Sequence, residues 1–306
     1  MWDPKALYVK AERYIQQMGA HNSDDWEYAL WSSLALELLA RAALANVSPA
    51  LLAEDDKQSF SNLSHALGYP STEEKFSPRS IAISEVFKRL ATLLPGFAKE
   101  HASFGTQHTG RRNEELHSGK PAFDGLKAST WQPRFYEVCQ LLLASLGLTI
   151  ADFFGMEEAN VAEKLIAAAA DKSAKAVKGD VDAHMKVWLA KNEKEREKLQ
   201  LQAEVWANRQ AGHRVMCPAC ASQALVVGEP VSSPVQKLDD DQIVETQEFL
   251  PNQFECVACG LKIGGLSRLS AVGLGDQYKK TVTYDAAEYY APNDDYAEFE
   301  DDNNER

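Results

Sequence analysis

Two cysteine pairs constrain this chain more than any other feature. Cys217 and Cys220 stand in "CPAC" and Cys256 and Cys259 in "CVACG", with 35 residues between the pairs. Each C-x2-C turn presents two thiolates on one tight knuckle. Two knuckles supply the four soft ligands that a tetrahedral Zn²⁺ takes at ~2.3 Å. Gly260, directly after the second pair, has the left-handed backbone freedom such a turn uses. Two unrelated thiol motifs, or one redox-active pair, are the alternatives. A closed four-cysteine site leaves no position for an activated water, so the expected metal is structural and stabilises a small domain. The runs "QALVVGEPV", "QIVETQEFLP" and "QFECVACG" are β-prone and separated by Ser, Pro, Asp and Gly, which starts that domain near His213. The module is similar to a zinc ribbon. His213, four residues before Cys217, is a further candidate ligand, with a surface histidine as the plainer reading. The remaining cysteine, Cys139, lies with Trp131 on an apolar helix, where both read as core.

The first 155 residues follow a helical pattern, which predicts an all-α bundle of five helices. Asp3 caps a first helix with Pro4 at its first position and Gly19 as its stop. Ser23 is the expected cap of a second, whose apolar residues from Trp26 to Leu44 cover most faces and mark it as central and buried. "SPRSIAISEVFKRLATLLPG" is a third. "FAKEHASFGTQHTGRRNEELHSGKPAFDG" is a polar fourth, with an interruption expected near Gly105 to Gly110. "STWQPRFYEVCQLLLASLGLTIADFFG" closes the bundle. Residues 157–210 read as helix nearly throughout, broken only at Gly179. They form a solvated connector with Val187, Trp188, Leu189, Leu199, Val205 and Trp206 for packing, or else a coiled-coil arm. The expected organisation is therefore a helical domain over 1–155, a connector over 156–211, a zinc ribbon over 212–275 and an acidic, aromatic tail over 276–306. The fold class is mainly α with a small β domain.

The formal net charge is −13, which argues against a nucleic-acid partner until its distribution is considered. Residues 284–306 carry nine acidic residues and one arginine, hence −8, leaving the body at only −5. The tail reads either as a disordered solvating segment or, through Tyr284, Tyr289, Tyr290, Tyr296 and Phe299, as an RNA mimic masking a basic groove. No apolar run approaches the ~20 residues that span a bilayer, and the start lacks a signal-peptide build. The expectation is a cytoplasmic protein with no membrane partner.

The stretch "RRNEELHSG", residues 111–119, gathers two arginines, an asparagine and a histidine. On a regular helix the five positions from Arg112 to His117 rotate by about 140°, so these two side chains leave different faces. Asn113 and His117, at i and i+4, share one. Cooperation between Arg112 and His117 therefore needs a distorted helix start or a second copy of the motif. A polar helix face with an incidental histidine is the bland reading. Arg111 and His108, which flank the motif, read as solvated or as contacts to an RNA backbone.

R-N-x3-H late in an all-α domain resembles the signature of the HEPN ribonuclease family, R-x4–6-H with a polar residue after the arginine. Glu37 and Arg41 in "LALELLARAAL" match the acidic-then-basic i, i+4 pair that such domains carry on an earlier helix. The resemblance covers roughly residues 1–155. It implies a metal-independent endoribonuclease, in which His117 transfers protons, Arg112 stabilises the phosphorane-like charge, and Asn113 orients the histidine or a phosphate oxygen. Glu37 pairs with Arg41 or Arg112, as a site residue or a plain salt bridge. It also implies RNA as substrate, a site shared across a homodimer of the helical domain, and a phage-defence or toxin role with a defence-system or antitoxin partner. The competing class is a non-catalytic HEPN-like scaffold or binding module. A zinc-ribbon regulator is weaker, because the ribbon lacks a dense Lys/Arg cluster.

Overall fold

The computed structural model describes residues 2–56, 60–69 and 76–290. Helix α1 spans Pro4–Met18, and Asp3 caps it as expected, its carboxylate accepting from Ala6 N at 2.7 Å. Helix α2 spans Trp26–Val47. Asp25, not Ser23, stands at its N-cap. Among the described residues α2 alone is long and apolar enough to cross a membrane, with 22 residues and an 18-residue window of mean hydropathy 1.2. Here it forms the hub of the bundle: Ala35, Leu36, Leu39, Ala40, Ala43 and Leu44 are inaccessible to solvent. The alternation of Ala and Leu lets α1 and its other neighbours approach closely, because a helix apolar on most faces must be surrounded.

Helix α3 (Ser61–Ala66) is short and was not anticipated. Helix α4 (Ile83–Leu93) packs through Val86, Phe87 and Leu90. Helix α5 runs unbroken from Lys99 to His117. This corrects the expected interruption between Gly105 and Gly110. Gly105 is there for packing: a Cβ at this position would lie 2.5 Å from two ring carbons of Phe87 on α4. Its loss of helix propensity, about 1 kcal/mol, is offset by the contact it permits. Helix α6 (Gln132–Ser145) buries Phe135, Tyr136 and Cys139, and Trp131 at its N-cap is buried as well, so the two core assignments there hold. The short α7 (Ile150–Phe154) ends the segment read as one closing helix.

The connector is neither one helix nor free-standing. It divides into α8 (Met156–Ala170), α9 (Val177–Leu189) and α10 (Glu193–Arg209). The breaks fall near Asp171 and at 190–192, while Gly179 lies inside α9. Helix α8 joins the first core through Ala159, Val161, Ala162 and Leu165. Val177, Val181, Trp188 and Ala203 instead join a second core with the cysteines. Val187, Leu189 and Val205, expected to pack, are exposed.

The sheet is antiparallel throughout. Strands β1 (His213–Met216), β2 (Gln223–Pro230), β3 (Val235–Asp239) and β4 (Gln242–Glu255) lie in the order β1-β2-β4-β3. The long β4 also pairs with β5 (Lys262–Gly264) at one end and β6 (Tyr278–Asp285) at the other. Between β5 and β6, α11 (Leu266–Ala271) buries Leu269 in the second core. Residues 278–285, placed in the tail by the sequence, are thus a strand registered along β4. The remainder of that proposed tail from 291, with Tyr296 and Phe299, lies outside the described residues.

Candidate active site and metal centre

The arginine–histidine stretch occupies the last turns of α5. Arg112 points inward: its Nη2 donates to Glu37 Oε2 at 2.7 Å. Glu37 on α2 accepts at its other oxygen from Arg41, at 3.2 Å from Nε and 3.0 Å from Nη2. Arg41 continues to Ser80 Oγ and the Ile81 carbonyl at 3.0 and 3.2 Å. That segment is itself held in place by Ile81 N donating to Leu52 O. One carboxylate therefore sits between two guanidiniums, and the triad carries a net single positive charge. The three side chains are only 14–23% exposed, so their mutual attraction is screened less than at an open surface. Arg112 Nε is buried without a hydrogen bond.

His117 is the last residue of α5 and is exposed, as is Asn113 one turn earlier. Ser118 closes the helix, its backbone N and Oγ both donating to Glu114 O. Because α5 is regular here, the expected distorted start is absent. Within one chain the structure brings Arg112 to Glu37 and Arg41 but leaves Asn113 and His117 on the outer surface. Glu37 was read as a partner of Arg41 or Arg112, and it engages both. Ser80 and Ile81 were missed, since nothing local in sequence links positions 39 and 40 residues apart.

His108 is neither solvated nor available to RNA. It lies one turn before Arg112 on the buried face of α5, stacked on Phe104 and Trp131 with centroids 5.4 and 4.8 Å away. Ser32 Oγ donates to Ala29 O, so at 2.8 Å from His108 Nε2 it accepts that ring's proton. The imidazole is thereby a neutral Nε2–H tautomer with Nδ1 unpaired. Burial, with a smaller contribution from Arg111, depresses its pKa to about 3.

The four cysteines converge. Cys217 Sγ lies 3.6 Å from Cys259 Sγ and Cys220 Sγ 3.5 Å from Cys256 Sγ, and all four sulfurs fall within 4.8 Å of one another. A tetrahedron of ~2.3 Å metal–sulfur bonds requires sulfur separations of about 3.8 Å, so the set fits one ion. The knuckles match each other: Cys217 N donates to Ser222 O and Cys256 N to Leu261 O, both at 2.9 Å. Each closes through a left-handed residue, Gly260 at φ 76° as expected and Ala221 at φ 55°. His213 is not a ligand; its ring stacks on Tyr278 at 4.7 Å. A partner the sequence did not suggest is His184 on α9, whose Nδ1 lies 2.8 Å from the Cys259 carbonyl. It fastens α9 to the second knuckle, while the Arg268–Asp180 bridge at 2.8 Å ties α9 to α11.

Fold and site thus define a mainly helical protein with an antiparallel sheet and a four-cysteine cluster able to hold a metal ion. Protein-family models, curated proteins and solved structures were each compared with the chain, and none matches it.

Proposed function

We propose that the chain is a metal-independent endoribonuclease of HEPN type, with a structural zinc in its cysteine cluster. The observation that carries the reading is the contact of Glu37 with both Arg41 and Arg112. It joins the acidic–basic pair of α2 to the arginine of R-N-x3-H, two motifs 75 positions apart that the family resemblance named independently. Glu37 holds Arg112 by one terminal nitrogen, and among the described residues Nη1 makes no hydrogen bond. That leaves a permanent cation to meet a phosphate oxygen. RNA carries its own nucleophile, the 2′-OH. His117 would take its proton or protonate the leaving 5′-oxygen, and Arg112 would stabilise the charge on the pentacoordinate phosphorus. The products are a 2′,3′-cyclic phosphate and a 5′-OH.

Since Arg112 and His117 leave different faces of a straight helix, the reading requires a homodimer in which one copy's His117 approaches the other's Arg112. A phage-defence or toxin role, with a cognate protein partner, accompanies the family reading. The engagement of Arg112 by Glu37 favours one rival: a scaffold in which the triad only ties α2 to α5. Incubation with tRNA and mixed cellular RNA in EDTA, followed by mapping of cleaved ends, separates the two. The enzyme reading expects cyclic-phosphate ends from the wild type and none from Arg112→Ala or His117→Ala. Cleavage that survives in both variants excludes the assigned site.

A further inference from the structure

A groove of about 580 Å³ is lined by residues of β1, β2, β4 and β6 and by the turn that follows α10. Three near-parallel rings stand in it. Tyr278 stacks on His213 and on Phe249, with centroids 4.7 and 5.6 Å away and 15° between the planes in each pair. Phe249 and Tyr278 are cross-strand partners on β4 and β6. Tyr278 reaches on to β2 because Gly228 has no side chain there: a Cβ would lie 3.1 Å from the tyrosine hydroxyl oxygen. That reach brings the ring against His213 on β1. His213 is exposed, so the stack includes a ring that solvent reaches. Burial of part of the imidazole lowers its pKa, with Asp24 opposing, so the ring is neutral at pH 7.

The charge around these rings is one-sided. The chain has 45 acidic and 32 basic residues, yet the groove is lined by Arg214, Lys279 and Lys280 and, among the described residues, by no carboxylate. Lys279 is engaged by Glu248 at 3.3 Å and is set aside. Arg214 donates only to the neutral Asn208, to its side-chain and backbone oxygens, both at 3.3 Å. Lys280 is exposed and, among the described residues, has no ion pair. Both therefore keep their full charge. Lys280 stands two positions after Tyr278 on β6 and so shares its face. Arg214 and Lys280 are far apart in sequence, which is why no Lys/Arg cluster shows there.

A neutral, accessible ring flanked by two uncompensated cations matches the chemistry of a nucleic-acid single strand, which offers free base faces and a phosphate every nucleotide. An acidic peptide would use the cations and leave the rings idle, and a duplex has its base faces already stacked. We propose that the groove binds single-stranded RNA, with one base stacked on His213 and the flanking phosphates at Arg214 and Lys280. The choice of RNA as the strand rests on the ribonuclease reading. The site itself uses no residue of α5.

Fluorescence anisotropy of the full chain with a labelled 2′-O-methyl RNA strand of about 12 nucleotides tests it. The methyl groups block the 2′-OH nucleophile, so binding is read without cleavage. The expected result is saturable binding that weakens with salt, at a log–log slope of about −1.4 for two phosphate contacts. His213→Ala should weaken it at least about fivefold at the same slope, and a duplex of the same sequence should bind at least about fivefold more weakly. Lys280→Gln should bring the slope to about −0.7. Absence of saturable binding up to about 100 μM overturns the proposal. So does unchanged affinity in His213→Ala, or a duplex bound as well as the single strand. Binding that depends on His213 and Lys280 in a protein that cleaves no unmodified RNA supports this site and removes only the ribonuclease reading. Cleavage of unmodified RNA with binding indifferent to both residues overturns this site and spares that reading.

Discussion

Arg112 and His117 are five positions apart and have opposite relations to the fold, which makes their substitutions separable. Arg112→Ala leaves Glu37 with one guanidinium instead of two in a half-closed setting. It should cost about 1–3 kcal/mol, read as a lower denaturant midpoint at unchanged m. His117→Ala touches nothing buried and should stay within about 0.5 kcal/mol of wild type while losing cleavage. A stable, inactive His117→Ala beside a destabilised, inactive Arg112→Ala is the signature of the enzyme reading. His108 makes a third residue-scale prediction. Its folded pKa, near 3, lies below its unfolded value, near 6.5. Between those values the unfolded chain binds the extra proton, so stability is complete above pH 6.5 and falls as pH drops towards 3. The slope approaches about 1.4 kcal/mol per pH unit, and urea titrations across that window should flatten in His108→Gln. The cysteines and the Glu37–Arg41 pair were legible because their spacing is local and periodic. His108 was misread because its immediate neighbours in sequence are polar, while the rings that enclose it come largely from Phe123, Trp131 and Phe135, further along the chain.

At the scale of elements, α5 teaches most. Two glycines in a polar helix suggest a break, and the sequence does not reveal that one of them faces a phenylalanine on another helix. Gly105→Ala would drive a methyl group into the Phe87 ring and should cost about 1–3 kcal/mol despite alanine's better helix propensity. Gly110→Ala meets nothing within 4 Å and should stabilise by about 0.5–1 kcal/mol. Thermal melts of the pair give shifts of opposite sign if α5 is continuous, and of the same sign if it is broken there. The long β4 was seen as two separate runs, "QIVETQEFLP" and "QFECVACG", because Pro251 reads as a terminator. Pro251 instead sits beside a bulge of β4 itself, where Asn252 is the extra residue opposite Val227 and Gly228, and a Cβ on Gly228 would come 2.4 Å from Leu250 O.

For the whole molecule, two cores divide the chain in a way the composition conceals. The bundle core recruits α8, and the cysteine-centred core recruits α9 and α10. Removing the metal should therefore weaken the second core first. A strong chelator is expected to split one unfolding transition into two, the earlier carrying loss of strand signal and exposure of Trp188, the later that of the bundle. A single transition unmoved by chelation would mean that no metal contributes to the fold. In the proposed enzyme a straight α5 leaves half a site on each copy, and a second copy completes it. Mixing Arg112→Ala with His117→Ala tests this directly. Each variant alone should be inactive, while an equimolar mixture, allowed to exchange subunits, should recover about a quarter of wild-type cleavage, because about half of its dimers hold one intact pair. A mixture as inactive as its components, or either variant active by itself, would contradict the account.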